Sequence, residues 1–564
     1  RKSIDAIGDP DTLVRHTLGT VIATSVALGK IRNWPEILPR LMQLLDSSEY
    51  PVVEGAWDIL HKICEECGLE LDEPLNDGTL PLNIMLPKFI TFFASDLPVL
   101  REYAITTTTI FVSKRSVCMQ PMIDAFVVEL FKRANDENPD VLKAVCRAVV
   151  SLLETRPEKL MPELENVVNY MIYTTQHSDP DIAMEACEFW LVFCEQEELV
   201  ESLRPFLSRV IPTLMRGMVY TERDLMMLDN DDDDAVVPDS DQDIKPRHHK
   251  ARTHDHHDGG GAGNDSDEEE NEDEDDDDYD YDSDDDEEDI YGEWNLRKCS
   301  AASLDVMSTA FGDHVLEFVL PALREELASD DWRVKEAGIL ALGAIAEGCM
   351  AGMEPHLSNL LPHLIRWFKD EKALVRSIAC WSASRYAKWA LFGPEPNTIK
   401  VYFEPLLAGL LETMVDNNKR VQEAACSAFA TLEEMAGPYM VPYIQPVLET
   451  LMRAFHLYQR KNVIILYDAV GTMAEAVGSE LNHPAFIQML MPHMAERWEN
   501  LHTDDPHMFP LFECLSAIAL SLGPGFAPYA PEVYKRCVHI VGETLQVCQQ
   551  AAQDPSIEAP DRDL

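Results

Sequence analysis

The hydrophobic and polar positions of the chain recur as pairs of helix-length stretches separated by short polar turns. One pattern opens the second stretch of each pair: a turn rich in Asp, Asn or Pro, an apolar residue, then small residues leading into an apolar helix face. It appears as DPDTLVRHTLG, NPDVLKAVCRA and DPDIAMEACEF in the first half of the chain and as DWRVKEAGIL, KALVRSIACW and NKRVQEAACS in the second. Apolar residues three and four apart predict amphipathic helices, and no alternating pattern suggests a sheet.

One apolar residue in each of these patterns serves as an anchor for measuring the period. The anchors are Val14, Val53, Leu100, Leu142, Ile182, Leu296, Val334, Val375, Val421, Val463 and Phe509. Successive anchors lie 38 to 47 residues apart, except for one interval of 114. A period of about 40 to 47 residues is typical of HEAT and armadillo repeats, in which stacked helix pairs share one continuous core. The sequence therefore predicts an all-α, HEAT-repeat, right-handed superhelical solenoid.

The long interval contains a 65-residue acidic insertion, residues 229–293, and without it 49 residues remain, which is close to one repeat. The helix LRPFLSRVIPTLMRGMVY precedes the insertion, and its partner helix begins near Trp294. We expect a long acidic loop within a single repeat, largely disordered between about Asp231 and Asp289 because its charges repel and it has little to bury. The expected division is N-terminal repeats at 1–228, the loop at 229–293 and further repeats at 294–564.

Charge narrows the choice of partners. The insertion has 31 acidic and 4 basic residues, a net charge of −27, and the rest of the chain contributes the other half of the total of −54. Such a body disfavours binding to a phosphate backbone and favours partners with basic segments. We therefore expect no direct contact with nucleic acid.

Chemical motifs are sparse. The sequence has no GxGxxG after a strand, no P-loop, no HExxH and no GxSxG, so we expect neither an enzyme nor a cofactor. Cys64 and Cys67 have CxxC spacing with His61 nearby, but zinc needs further ligands, so the simpler interpretation is a pair of thiols within a helix. No apolar run reaches the roughly 18 to 20 residues of a membrane span, and no signal peptide is apparent, so no membrane association is expected. The chain starts without Met, and both ends read as the interior of a longer protein, which suggests a fragment.

The second helices after the insertion carry aligned polar and aromatic residues. Ile378, Trp381, Arg385 and Trp389 follow spacings of 3, 4 and 4, which place them on one helix face. Taken alone, such a tryptophan is more often part of the core. Parallel faces on neighbouring repeats favour a shared surface instead.

Two further helices carry the acidic part of that surface. Ser427, Thr431 and Glu434 share one face, and Asp468 and Glu475 lie two turns apart on the next. Taken alone, these carboxylates are more often a solvated surface. Stacked together, they would form an acidic wall suited to an extended basic peptide with aromatic anchors.

Several strings resemble a known family. WNLRKCSAASLDVMS, KEAGILALGAIAEGCM, KALVRSIACW, NKRVQEAACSAFATLEE, AMEACEFW and PDSDQDIKPR look like the transportins, the karyopherin-β2 class of importin-β-type nuclear import receptors. The resemblance covers essentially the whole chain. It implies a receptor that shuttles between cytoplasm and nucleus and binds the proline-tyrosine nuclear localisation signals of cargo such as RNA-binding proteins, with histones as a further candidate class. It also implies contact with the FG repeats of nucleoporins and release of cargo by Ran-GTP through the acidic loop.

The resemblance also assigns cargo-binding residues. The pocket for the Pro-Tyr pair would comprise Ala301, Ala302, Asp305, Leu340, Ile378, Trp381 and Arg385. The contacts to the basic part of the signal would come from Ser427, Thr431, Glu434, Asp468 and Glu475, with Phe509 as an apolar neighbour. At Glu475 the family often has Asp, so the charge is kept but the reach differs.

Two other classes of function remain open. A HEAT scaffold for a phosphatase or chromatin complex would share the repeat, although the repeat alone does not require the acidic insertion. An acidic chaperone for basic proteins such as histones would explain the insertion but would not need the aromatic face. Preference for a Pro-Tyr signal over a charge-matched scrambled peptide distinguishes a receptor from a chaperone.

Overall fold

The structure, a computed structural model, describes residues 7–75, 78–228, 233–237, 294–394, 396–502, 505 and 507–551. Within these ranges every regular element is a helix and no strand occurs. The predicted all-α class is confirmed.

The helices of the first part of the chain are α1 (Thr12–Gly29), α2 (Ile37–Leu44), α3 (Tyr50–Glu66), α4 (Gly68–Leu71), α5 (Leu82–Phe92), α6 (Pro98–Ser113), α7 (Ile123–Phe131), α8 (Pro139–Thr155), α9 (Leu164–Thr175), α10 (Pro180–Glu195), α11 (Leu207–Gly217) and α12 (Glu222–Met227). The helices after the insertion are α13 (Leu296–Phe311), α14 (Leu316–Glu326), α15 (Trp332–Ala344), α16 (Met350–Trp367), α17 (Ala373–Ser384), α18 (Ala387–Phe392), α19 (Glu404–Thr413), α20 (Lys419–Ala436), α21 (Ile444–Leu457), α22 (Arg460–Val477), α23 (Pro484–Asn500), α24 (Met508–Leu522) and α25 (Ala530–Ala551). Short 3₁₀ stretches connect several of them: Ile31–Asn33, Gln120–Met122, Pro157–Lys159, Met161–Glu163, Val200–Phe206, Gly312–Val315, Gly437–Tyr443, Gly478–Leu481 and Gly523–Phe526, with a π-helical turn at Ile399–Phe403.

The recurring turn pattern is a helix start signal. The side chains of five turn residues accept hydrogen bonds from first-turn backbone N–H groups, which would otherwise have no partner: Asp11, Asn138, Asp179, Asp331 and Asn418. Proline follows two of them directly, in α8 and α10, where its fixed φ suits the first helical turn. The polar turn residues therefore set the N-terminal ends of the second helices.

The second helices of the repeats stack in sequence order. In the first part of the chain α1, α3, α6, α8, α10, α13, α15 and α17 pack successively on one another, and later α20, α22 and α24 do the same. All eleven anchors lie in the first turn or so of these helices. Most are buried or half-buried, whereas Val14 and Phe509, at the two ends of the series, are exposed. The predicted repeat period is confirmed.

The described chain forms two compact units. Unit 1 comprises residues 1–225 and 294–403, and unit 2 comprises residues 226–293 and 404–564. These limits are drawn from the packing of the helices and differ from the division expected from sequence, which has boundaries at 228 and 294. That division stays a prediction. The units are described separately below.

The insertion interrupts one repeat of unit 1. Helix α13, after the insertion, packs against α10 and α11, just as α10 packs against α8 and α9. The indole N–H of Trp294, at the point where the chain resumes, donates to the Glu188 carboxylate on α10. Placement within a single repeat is therefore confirmed, while residues 238–293, most of the expected disordered loop, lie outside the described residues.

A short part of the insertion is well defined. Residues Asp233–Val237 form a turn in unit 2, with the Val237 N–H donating to the Asp234 carbonyl at 2.8 Å. The sequence predicts a largely disordered loop from about Asp231, and these five residues are an ordered exception near its start. Their backbone hydrogen bonds, described below, supply what charge and composition alone did not indicate.

Ion pairs link successive second helices in unit 1. Arg15 pairs with Glu54, and Arg297 pairs with Glu336. Burial raises the pKa of Glu336 to about 7, against the opposing effect of the Arg297 guanidinium, which also lies 4.3 Å from the centre of the Tyr220 ring. These charges are buried where the repeats meet, so they help to hold neighbouring repeats together.

One segment among the described residues is long and apolar enough to cross a membrane, contrary to the expectation from sequence. It runs from Met508 to Phe526 with a mean hydropathy of 1.4, and half of its most apolar window is buried. Because it contains α24, which packs against α22, its apolar face belongs to the core of unit 2. A core helix of this kind passes the same length and hydropathy test, so the segment gives no support for a membrane role.

Candidate functional site

The predicted aromatic pocket lies entirely in unit 1 and draws on three stacked helices. Ala301, Ala302 and Asp305 are half-buried on α13, and Ile378 is half-buried on α17. Trp381 is on α17, and Arg385 follows its last residue. Because α13, α15 and α17 stack in order, they bring these residues onto neighbouring helices.

Trp381 is the largest exposed apolar group of this pocket, with 37% of its surface accessible. Its ring lies against Gly343 of α15, where a Cβ atom would come within 2.1 Å of the indole Cζ3. Only glycine leaves room for the ring in this position. The close approach packs the indole against α15, while more than a third of the residue's surface stays exposed.

Arg385 connects the pocket across three helices. Its guanidinium lies 3.3 Å from Asp305 and 3.3 Å from Glu347, and its Nε donates to the Gly343 carbonyl at 3.4 Å. The guanidinium centre also lies 5.9 Å from the Trp381 ring. The pocket thus has a central cation shared by two carboxylates, and all of these groups are partly exposed.

Two expectations for this face need correction. Leu340 is only 6% exposed and packs in the core, so it offers a ligand almost no surface. Trp389 does not share the face of Trp381, because α17 ends at Ser384 and the chain turns before α18 begins. Trp389 is buried instead against Tyr402, at 4.7 Å between ring centres.

The predicted acidic wall lies entirely in unit 2, on helices that pack against each other. Ser427, Thr431 and Glu434 are on α20, where Ser427 and Glu434 are exposed and Thr431 is half-buried. Asp468 is half-buried and Glu475 exposed on α22. The two helices therefore bring the five predicted residues to one pair of stacked repeats.

Phe509 lies on α24, which packs on the other side of α22. It is 43% exposed and makes an edge contact with Phe512 at 6.3 Å. The residue is thus available at the surface of the neighbouring repeat, as an apolar contact requires.

Glu433, beside Glu434 on α20, is the unusual group of this region. It is completely buried, and neither carboxylate oxygen has a hydrogen-bond partner in the described part of the chain. Burial, with the nearby Asp468 carboxylate as a smaller contribution, raises the pKa of Glu433 well above its usual range.

Sequence reasoning missed three residues of these surfaces. Gly343 and Glu347 lie three and seven residues after Leu340, a helical spacing that could have drawn attention to a glycine within ALGAIAEG. Glu433 follows Cys426 and Phe429 at core spacing, so an acid in an apolar stripe was the available signal. In each case the cue was a residue that does not suit its position in an amphipathic helix.

The CxxC pair has the properties of core thiols. Cys64 and Cys67 are buried, and burial raises the pKa of Cys67 to about 11 and that of Cys64 further. The nearby His61 is engaged by Thr107 and Glu65. Across the ranges that the structure describes, no group of three or more His, Cys, Asp or Glu residues could hold a metal ion.

Comparisons with known proteins agree with the repeat architecture. A family profile described as a HEAT-like repeat matches residues 332–382. Among solved structures, Kap121p bound to Nup53p superposes on 97% of this chain and 48% of that protein at a TM-score of 0.56 and 16% identity. Importin beta in an ammonium sulfate condition covers 94% of this chain and 64% of that protein at a TM-score of 0.63 and 15% identity. These two similarities concern the fold.

The sequence relatives are much nearer. Transportin-1 of Mus musculus is 48% identical over 563 residues, which is 100% of this chain and 61% of that protein. Importin subunit beta-2 of Schizosaccharomyces pombe is 46% identical over 563 residues, again the whole of this chain and 62% of the relative. The chain thus spans about three fifths of the length of these relatives. Over its full length, the chain is therefore similar in sequence to about three fifths of transportin-1 and of importin subunit beta-2.

Proposed function

We propose that the chain is part of a nuclear import receptor that binds proline-tyrosine localisation signals of cargo proteins. The observation that carries the proposal is the exposed Trp381 ring beside the Asp305–Arg385–Glu347 cluster, in a chain homologous to transportins over its full length. The activity is one of binding and release rather than of catalysis. The receptor would work in both cytoplasm and nucleus.

The pocket suits a Pro-Tyr pair for chemical reasons. The exposed part of the Trp381 ring offers an apolar aromatic surface for contact with a proline or tyrosine ring. Asp305 can accept a hydrogen bond from a tyrosine hydroxyl, while Arg385 keeps the carboxylate in place. A tyrosine that entered would share Asp305 with Arg385, so the site is organised before the ligand arrives.

The wall suits the basic segment that precedes such a pair. Glu434 and Glu475 are exposed carboxylates on neighbouring helices, and Asp468 is half-buried between the two faces. Carboxylates form charge-assisted hydrogen bonds with Arg and Lys, which are stronger than neutral ones. The wall would thereby add affinity for basic signals and speed their approach.

The proposal also covers the release of cargo and the passage of the receptor through the nuclear pore. Ran-GTP would bind the receptor, engage the acidic insertion and so favour a state that holds cargo poorly. For this it must bind that state better than the cargo-bound one. FG repeats of nucleoporins would carry the receptor through the pore. The support for both is the resemblance to transportins together with the acidity of residues 229–293.

The central test is competition between two labelled peptides. The first has a Lys/Arg-rich segment followed by Pro-Tyr, and the second has the same composition in scrambled order. We expect the chain to prefer the first by at least tenfold, and Trp381→Ala to weaken it by about 2 kcal/mol or more, since aromatic anchors dominate interfaces. Tyr173→Ala, which removes a 70% exposed ring elsewhere in unit 1, is the matched control and should leave affinity unchanged.

The outcomes separate the candidate functions. Equal binding of both peptides, unaffected by Trp381→Ala, would identify an acidic chaperone for basic proteins. Binding of neither peptide would favour a HEAT scaffold. A separate arm shortens the insertion from about Ala251 to Glu288 in the longer natural receptor. Cargo binding should be kept and release by Ran-GTP greatly reduced, whereas unchanged release would exclude the loop from the mechanism.

A further inference from the structure

The described part of the insertion makes a specific contact within unit 2. The backbone N–H groups of Asp234 and Ala235 both donate to the Asn417 carbonyl, at 3.0 and 2.8 Å. Ala235 is 5% exposed, so its methyl group is enclosed, whereas Val236 and Val237 remain at the surface. A peptide segment held by paired backbone hydrogen bonds and one buried side chain is docked rather than merely nearby.

The contact reaches the N-terminal end of α20. The Lys419 N–H donates to the Asp234 carboxylate at 2.7 Å, and the Asn418 side chain accepts from the Arg420 and Val421 N–H groups at 3.1 and 3.2 Å. Asp234 therefore adds an acceptor for the Lys419 N–H to the cap that Asn418 already provides for the next two N–H groups. A carboxylate at this end also interacts favourably with the helix dipole.

The same segment also reaches the start of α22. The Gln459 side-chain amide, at the N-cap position of that helix, donates to the Ala235 carbonyl at 3.2 Å. One five-residue segment thus connects the N-terminal ends of the two helices that carry the acidic wall. Among the described residues, α20 is also capped by its own Asn418, whereas the N-cap side chain of α22 forms no capping hydrogen bond.

We propose that Asp234 and Ala235, within the segment Asp233–Val237, form an intramolecular clip that anchors the acidic insertion to the starts of α20 and α22 and fixes the spacing of the wall carried by these helices. The part of this proposal that concerns the wall rests on the proposed function. The clip holds Asp234 and Ala235 against the starts of these two helices. Breaking the clip would therefore loosen the two helix ends.

The test uses two neighbouring aspartates with the same charge. Asp234→Ala removes the acceptor for the Lys419 N–H, whereas Asp233→Ala removes an exposed carboxylate with no hydrogen bond among the described residues. Hydrogen exchange is measured in the full chain over the peptide that contains Lys419 and Arg420. We expect exchange about tenfold faster in Asp234→Ala and Gln459→Ala and unchanged in Asp233→Ala. Equal exchange in the two aspartate variants would overturn the clip.

A second measurement addresses the wall. The Kd of the Lys/Arg-rich Pro-Tyr peptide should rise about fivefold in Asp234→Ala and stay the same in Asp233→Ala, because only the former loosens the wall helices. Faster exchange with an unchanged Kd would overturn the link between clip and wall. Asp468→Lys tests the proposed function separately: if it leaves the peptide Kd unchanged, the wall does not bind the peptide, whatever the exchange experiment says of the clip.

Discussion

In unit 1 the buried Glu336 carboxylate faces Arg297 on the preceding second helix, whereas in unit 2 the buried Glu433 carboxyl has neither oxygen within reach of a described hydrogen-bond partner. Both groups lie on second helices at core positions. The first contributes to the contact between repeats, and the second is tolerated at a cost. The Glu336 carboxylate of unit 1 is thus paired across a contact between repeats, while the Glu433 carboxyl of unit 2 is buried without such a pair, next to Glu434 of the predicted wall.

The more exposed carboxylates of the two candidate surfaces also differ in whether they are paired. In the pocket of unit 1, Asp305 and Glu347 share Arg385. In the wall of unit 2, Glu434 and Glu475 form no ion pair with any residue that the structure describes. Under the proposed function, a pocket with a built-in cation would select by shape and hydrogen bonding, and a wall with two exposed carboxylates outside ion pairs would select by charge. The two surfaces should therefore respond differently to salt and to substitution.

The largest expected effect breaks the structural pair of unit 1. Arg297→Ala would leave Glu336 buried without its partner and would also remove the contact with Tyr220. Loss of one member of a buried pair typically costs about 3–5 kcal/mol of unfolding free energy. Denaturant unfolding at pH 8 measures it, with Lys132→Ala, which breaks an exposed pair with Glu129, as a control expected to cost less than about 1 kcal/mol.

The pH dependence sharpens this prediction. Because burial raises the pKa of Glu336, protonation of its carboxyl relieves the uncompensated charge at low pH. The destabilisation by Arg297→Ala should therefore be smaller at pH 5 than at pH 8. A loss of the same size at both pH values would mean that Arg297 acts through packing alone.

The next effect concerns the unpartnered acid of unit 2. The pKa of Glu433 is raised in the folded state, so its contribution favours folding below the ordinary glutamate pKa and is lost as the pH rises towards the raised value. Between these two pKa values, the free energy of unfolding of the natural chain should fall by up to about 1.4 kcal/mol per pH unit because of Glu433. Glu433→Gln, which is neutral at every pH, should remove this slope and leave a more stable protein at pH 7.

The adjacent residue provides the control for that experiment. Glu434→Gln makes the same change of charge at an exposed site and should leave the slope of stability against pH unaltered. Parallel curves for the natural chain and Glu433→Gln would show that Glu433 does not titrate differently in the folded and unfolded states. The comparison of the two units would then lose its basis.

The sequence could predict those parts of the fold and of the candidate site that depend on local interactions. The turn residues that cap helices and the 3.6-residue periodicity act within a few positions, so the helix pairs and their period were predictable. The pairing of Arg385 with Asp305 joins residues 80 positions apart and depends on how the helices stack. The docking of Asp234 on Lys419 spans 185 positions within a segment whose composition indicates only disorder.

The sequence also could not predict how deeply each residue of a helix face is buried. Leu340 and Trp381 both lie on second helices at positions consistent with a shared surface, yet one is 6% and the other 37% exposed. The rotation of each helix relative to its neighbours decides this, and a glycine as close as Gly343 is what leaves room for the Trp381 ring. Periodicity assigns residues to a face of a helix, but packing decides which part of that face stays open.

The smallest expected effect tests the exposed edge of the wall. Glu475→Gln should weaken the Lys/Arg-rich Pro-Tyr peptide by about 0.5 kcal/mol, roughly twofold, because an exposed ion pair is screened by water and its side chains lose freedom on pairing. The difference should shrink as salt rises from about 0.05 to 0.5 M, since the screening length falls below the separation of the charges. The loss caused by Trp381→Ala in unit 1 should change little over the same range, because stacking on an indole face is not a long-range electrostatic interaction. Isothermal titration of both variants at three salt concentrations measures the two dependences. If both losses decline in parallel with salt, the two surfaces select their ligand in the same way and the division between them fails.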